Sequence, residues 1–193
     1  MKELKETITT RAEYLGDGIL KADSFVNHQL LPGLSTRMGE AFAGRFREEG
    51  AGSATKIVTA EVSGIAPALV TAQALDIPMV FARKKKPAFM KEALFEASAT
   101  SRTKGDDVTL YISSRYLEPE DKVIIVDDFL ATASTLEALV SIVEQSGARL
   151  LGIGCIIEKV FENGRKKLEG LGVPIISLAQ VDLVDSGRSF TVL

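Results

Sequence analysis

Three short stretches carry the residues whose types and spacing invite chemistry. In VIIVDDFLATAST, residues 123–135, an apolar run ends in two adjacent carboxylates, Asp127 and Asp128. A loop of small and hydroxyl residues follows, Ala131, Thr132, Ala133, Ser134 and Thr135, and an amphipathic helix begins there. A helix N-terminus offers unpaired amides and a partial positive charge, which suits a phosphate. The acids before it suit a sugar diol or a hydrated magnesium ion. The spacing therefore fits a ribose 5-phosphate, with a capped helix behind solvated acids as the plainer alternative. In TAEVSGIAPAL, residues 59–69, a strand turns sharply into a second helix at Val62, Ser63 and Gly64, a place for another anion or a simple structural turn. In FARKKKP, residues 81–87, Arg83 and Lys84 open a run of four cations in a chain of net charge −3. Taken alone such a run is a solvated surface; after a strand and beside two anion-suited turns it suits a pyrophosphate.

Positioning these groups requires strands that end where the groups begin. Short apolar runs over 56–60, 78–82, 122–126 and 150–157 read as buried strands, and 174–178 and 189–193 as late ones. Helical spacing marks 34–46, 63–75 and 134–146, and a short polar helix is predicted over 2–14. Apolar strands without alternation, separated by helices, predict an α/β fold with a central parallel sheet covered on both faces. Ligands of such sheets bind beyond the carboxyl ends of the strands, where all three stretches fall. Residues 94–103 and 107–112 are predicted to pair as a mobile antiparallel ribbon joined at KGDD, an insertion on the core.

The composition bounds the function. With 193 residues, 46% hydrophobic and 25% charged, the chain is of a size and character to bury its own core as one domain. The small negative balance supplies no general attraction for nucleic acid or an anionic membrane. No apolar run reaches a membrane-spanning length and the N-terminus lacks a hydrophobic signal region, so a cytoplasmic protein is expected. The single cysteine, Cys155, precludes an intrachain disulfide and reads as a core residue. A single histidine, His28, argues against histidine-built zinc sites and Ser–His–Asp triads.

The acid pair and its loop resemble the phosphoribosyl-pyrophosphate motif of the type I phosphoribosyltransferases, in which DD, two apolar residues and ATGGT are usual; here the run is DDFLATAST. Ala133 and Ser134 stand where glycines are usual. Five pieces spread over the chain, ILKADSFVNHQL (19–30), EVSGIAPA (61–68), FARKKK (81–86), VDDFLATAST (126–135) and GIGCIIEKVFENGR (152–165), resemble the xanthine-using branch of that family. The resemblance implies the type I fold, with a hood from about 1–33 and 158–193 closing over the base within one domain spanning 1–193. It implies xanthine contacts from Leu20, Asn27 and Lys159, a pyrophosphate loop at Val62, Ser63 and Gly64 with a non-proline cis peptide, and a homodimer. Donors at Asn27 and Lys159 match the oxygens of a dioxopurine. Without the resemblance, Lys159 reads as a strand-end lysine, Asn27 as a turn residue and Leu20 as packing.

The implied reaction joins xanthine to 5-phospho-α-D-ribose 1-diphosphate (PRPP), releasing pyrophosphate and xanthosine 5′-monophosphate, with Mg²⁺ as cofactor. Asp127 and Asp128 would serve as catalytic acids gripping the diol and tuning the metal's shell through water; no direct protein ligand is assigned to the metal. Guanine, hypoxanthine or adenine is the alternative base. A PRPP-sensing transcriptional regulator is the alternative of another class, but the residues before 34 show no basic helix-turn-helix pattern.

Overall fold

A computed structural model describes residues 1–86, 92–100 and 107–193. The core is a six-stranded sheet. Its strands are β3 (Lys56–Ala60), β4 (Met79–Ala82), β7 (Lys122–Leu130), β8 (Arg149–Lys159), β9 (Ile175–Val184) and β10 (Ser189–Val192), in the spatial order β10-β9-β8-β7-β3-β4. All neighbours are parallel except β10, which returns antiparallel on β9. The sheet is thus mixed at one edge, where the sequence predicted it parallel throughout. The link from β9 to β10 is a short turn, Asp185–Gly187, too short for the crossover a parallel strand needs.

The apolar runs form buried strands because both faces are covered. Along β7, Ile124 and Val126 enter a core under α1 (Lys2–Arg11), α2 (Pro32–Glu48) and α3 (Ile65–Leu75). Val123 and Ile125 enter the opposite core under α4 (Ser134–Ser146). α2 starts with Pro32 in its first turn, where the missing N–H is no loss. It buries Leu34, Met38, Phe42 and Phe46 on one stripe. α4 ends on Gly147 at φ 78°, the left-handed conformation glycine takes readily.

The order of the strands places the site. From β3 the chain steps outward to β4, then crosses back to lay β7 on the other side of β3, and continues to β8 and β9. β3 and β7 therefore flank the point where the winding reverses, and a crevice opens beyond their carboxyl ends. The insertion forms the predicted ribbon, β5 (Leu94–Thr100) with β6 (Asp107–Ser113), in register from Leu94↔Ser113 to Thr100↔Asp107. Most of the KGDD joint lies outside the described residues. The ribbon docks on the body at Arg83, whose N–H and C=O pair with those of Tyr111, both at 2.9 Å. It docks again on α4, where the Gln145 amide donates to Glu96 O and accepts from Glu96 N.

At the other end of the sheet, β1 (Glu13–Tyr14) pairs with β2 (Leu20–Lys21), two short strands the sequence did not betray. A π-helical turn follows over Asp23–Asn27. No helix among the described residues is long and apolar enough to cross a membrane.

Candidate active site

β7 runs four residues beyond the predicted strand end, so Asp127 and Asp128 lie within a strand and not after it. Both are buried. Their backbone and carboxyl groups interlock: Asp128 N donates to Asp127 Oδ1 and Phe129 N to Asp128 Oδ1, both at 2.9 Å. Burial, and then the neighbouring Asp128 charge, holds the Asp127 carboxyl well above the usual carboxylate range. Two carboxyl groups held in fixed positions at a cavity wall can accept from hydroxyl donors.

The acids line a cavity of about 280 Å³. Ala131, Thr132, Ala133, Ser134 and Thr135 form one wall of it, Ala60, Glu61 and Ser63 another, Lys84 a third and Ala99, Thr100, Val108 and Leu110 of the ribbon a fourth. The loop at 131–135 ends in the N-terminus of α4, as predicted, so its amides and hydroxyls face one space. Ala133 is the cap, at φ 69° and ψ 2°. That conformation costs an alanine about 1–2 kcal/mol relative to a right-handed one, and the loop holds it without glycine.

Why the loop keeps this shape is visible beneath it. The turn after β8 brings Gly164, first residue of α5 (Gly164–Leu168), against the loop's backbone. A Cβ on Gly164 would stand 2.1 Å from Ala131 O and 2.8 Å from Ala133 N. The loop rests on a bare backbone that no other residue supplies. From the ribbon side, Thr100 N donates to Ser134 Oγ at 2.7 Å.

The predicted pyrophosphate turn follows β3, and its Glu61–Val62 peptide is cis. Ser63 faces the cavity; the Val62 side chain is exposed and Gly64 is buried beneath the turn. Of the two named cations only Lys84 reaches the wall. Arg83 lies over the Phe81 ring, 5.8 Å from its centroid, with its Nε 4.0 Å from Glu61 Oε2. Glu61 also accepts from Lys84 N at 2.7 Å, tying the cation segment to the turn.

The predicted base residues come from opposite ends of the chain and meet beside the acids. Asn27 Nδ2 donates to Asp128 Oδ2 at 3.3 Å. Lys159, last residue of β8, has its Nζ 5.3 Å from the centroid of the Phe129 ring and donates to Gly18 O at 3.0 Å. Leu20, first residue of β2, is buried in the core. Among the described residues no group of three or more His, Cys, Asp and Glu has the arrangement of a metal site. The donor set fits a cation held chiefly by substrate oxygens, with the acid pair at its periphery. The sequence reading assigned no site role to Glu61, Phe129 or Gly164. Phe129 and Glu61 were adjacent to quoted motifs, but Gly164 acts only through a contact across the fold.

Residues 30–170 match the phosphoribosyl transferase domain, well over half of the chain. The chain belongs to the phosphoribosyl transferase family. It is 49% identical over 192 residues to a xanthine phosphoribosyltransferase of Deinococcus deserti, covering 100% of this chain and 98% of that one. Its likeness to the xanthine phosphoribosyltransferase of Bacillus licheniformis is 47%, over 97% of this chain and 95% of the relative. In structure it resembles an adenine phosphoribosyltransferase of Rhodothermus marinus, with TM-score 0.74 and 27% identity, over 93% of this chain and 99% of that one. The fold is thus that of a type I phosphoribosyltransferase, with its cavity at the β3–β7 switch point.

Proposed function

We infer that the protein is a xanthine phosphoribosyltransferase, a pentosyltransferase that makes xanthosine 5′-monophosphate and pyrophosphate from xanthine and PRPP. One observation carries the choice of base: Asn27 and Lys159 converge on Asp128 and Phe129 at the wall of the cavity that holds the phosphate loop. An ammonium only donates, and an amide has two N–H groups to give. Such groups suit the two carbonyl oxygens of xanthine; the amino group of adenine would need an acceptor where Lys159 stands. The names of the relatives agree with that chemistry, although the structural neighbour acts on adenine.

The residues take these parts. Asp127 and Asp128 accept from the ribose 2- and 3-hydroxyls. Amides and hydroxyls of 131–135 hold the 5-phosphate. Ser63, the amides of 62–64 and Lys84 receive the pyrophosphate, with Arg83 supporting that segment through Glu61. Lys159 and Asn27 orient the purine, Leu20 packs behind its pocket, and Phe129 offers it a ring face. The purine nitrogen lone pair forms the bond to the anomeric carbon, the bond to pyrophosphate oxygen breaks with its electron pair, and the purine's ring proton passes to the departing pyrophosphate. Positive charge grows on the sugar as the bond stretches, so the residues' main contribution is fixed geometry and stabilised leaving-group charge. Mg²⁺ supplies charge neutralisation on the pyrophosphate when bound with PRPP. The ribbon covers the cavity and keeps water from the activated sugar.

The hood at about 1–33 and 158–193 belongs to the same single domain. A homodimer in the cytoplasm completes the reading: Phe81 and Leu69 are exposed near the β4 edge beside the cations, a surface suited to a second copy. A pyrophosphate-release assay with PRPP across xanthine, guanine, hypoxanthine and adenine, with and without Mg²⁺, tests the assignment. Xanthine is expected to be used at least tenfold more efficiently than the other bases, and only with Mg²⁺. Equal use of guanine, or preference for adenine, overturns the base assignment.

A further inference from the structure

Thr59, in β3, is completely buried, and its hydroxyl has no hydrogen-bond partner among the described residues. A buried unsatisfied hydroxyl is a cost that valine, of the same shape, would avoid. Its surroundings suggest what it is kept for. A Cβ on Gly64 would stand 2.1 Å from Thr59 Oγ1 and 2.5 Å from Asp127 Oδ1. The bare backbone of Gly64, at the end of the pyrophosphate turn, therefore leaves the hydroxyl and the carboxyl facing one small space. Asp127 Oδ1 already accepts from Asp128 N, and a carboxylate oxygen has room for a second donor. A threonine hydroxyl hydrogen rotates freely to supply it.

We propose that Thr59 is a positioning residue for Asp127: its hydroxyl donates to Oδ1 when the sugar draws the carboxyl into its binding geometry, leaving Oδ2 directed at the diol. The inference rests on the reading above that Asp127 holds the ribose hydroxyls. It makes Thr59, Gly64 and Asp127 one unit across the switch point, so that the pyrophosphate turn and the diol acid are set together. On this reading the hydroxyl, which valine would replace without loss of shape, is kept for the bond it makes to Asp127.

The test is Thr59→Val beside Thr59→Ser, read by steady-state kinetics with PRPP and xanthine varied separately, by calorimetric titration of PRPP, and by thermal melting. The expected result for Thr59→Val is a fall of about tenfold in kcat/KM for PRPP, the loss of one hydrogen bond to a charged group. The KM for xanthine stays the same and the melting temperature is equal or higher. PRPP affinity in the titration falls in parallel, and Thr59→Ser restores both to within about twofold of the wild type. A valine variant that melts no lower and uses PRPP as well as wild type overturns the inference. So does a serine variant as impaired as the valine one, since packing and not the hydroxyl would then matter. Thr59→Ala, read in the same way, decides the question where the valine variant does not fold. Failure of the underlying reading is separate: a wild-type protein that releases no pyrophosphate with any purine removes it, and this inference with it.

Discussion

At the scale of single residues, burial decides what the acids can do. Asp127 shares a strand with Asp128 and is shut from water, and both effects oppose its charge. The sign for stability follows. With its folded value raised above the 3.8 of a free aspartate, the stability linked to Asp127 is present below pH 3.8 and is lost as pH rises through the folded value. At neutral pH Asp127 is therefore a group that its burial makes destabilising. Asp127→Asn is expected to lower kcat/KM by about 100-fold while raising the melting temperature at pH 7 by a few degrees. The gain in melting temperature should shrink on acidification toward pH 4. Kinetics and melting curves from pH 4 to 8 check both; a variant less stable at pH 7 would show that the carboxylate is held by partners that outweigh its burial. The residue types and their order were legible in the sequence here, as an acid pair running into a small hydroxyl loop at a helix start. What was not legible was that both acids lie inside the strand, since strand length depends on what pairs alongside, and β8 pairs with β7 as far as Leu130.

Elements act on the site by pressing on one another. The 131–135 loop is shaped from below by Gly164 and held from the ribbon by Thr100 N on Ser134 Oγ. Gly164→Ala would put a methyl group into the loop's own backbone, which has no flexible side chain to yield. The expected outcome is a rise of about tenfold or more in the KM for PRPP, with the KM for xanthine little changed and about 1–3 kcal/mol of stability lost. Steady-state kinetics and denaturant unfolding measure these; a wild-type KM for PRPP would mean that the loop is not seated on this turn. The helices and strands around the site were legible because their apolar periods are distinct. The two-residue strands β1 and β2 were not, since so short a pair has no period to detect and exists only because the hood folds on itself. The antiparallel return of β10 was equally hidden: an apolar run has no direction until its neighbour is known.

Across the whole molecule, one buried carboxylate ties the later strands together. Glu158 is buried and accepts from Arg165 Nε and Nη2 at 2.7 and 2.6 Å, from Ser177 Oγ at 2.6 Å and from Gln180 Nε2 at 3.0 Å, joining β8, α5 and β9. Burial works to raise its carboxyl, but the hydrogen bonds and the Arg165 charge outweigh it and hold the value below the 4.5 of a free glutamate. The sign is opposite to that of Asp127: this stability is present above pH 4.5 and is lost as pH falls through the lower folded value. Glu158→Gln is expected to cost about 2 kcal/mol at pH 7, and the difference from wild type should fade below pH 4. Urea unfolding at the two pH values would show it, and equal losses at both would mean that shape alone matters. The sequence by itself determined the alternation of strands and helices and the acid pair, small hydroxyl loop and cations at the strand ends, because these are local matters of period, capping and charge. Only the tertiary structure decided that Asn27 reaches Asp128 beside Lys159 on Phe129, that Gly164 underlies the 131–135 loop and that Thr59 lies near Asp127. Those pairings join residues far apart in the chain, and only the order and pairing of strands in the sheet brings them within reach.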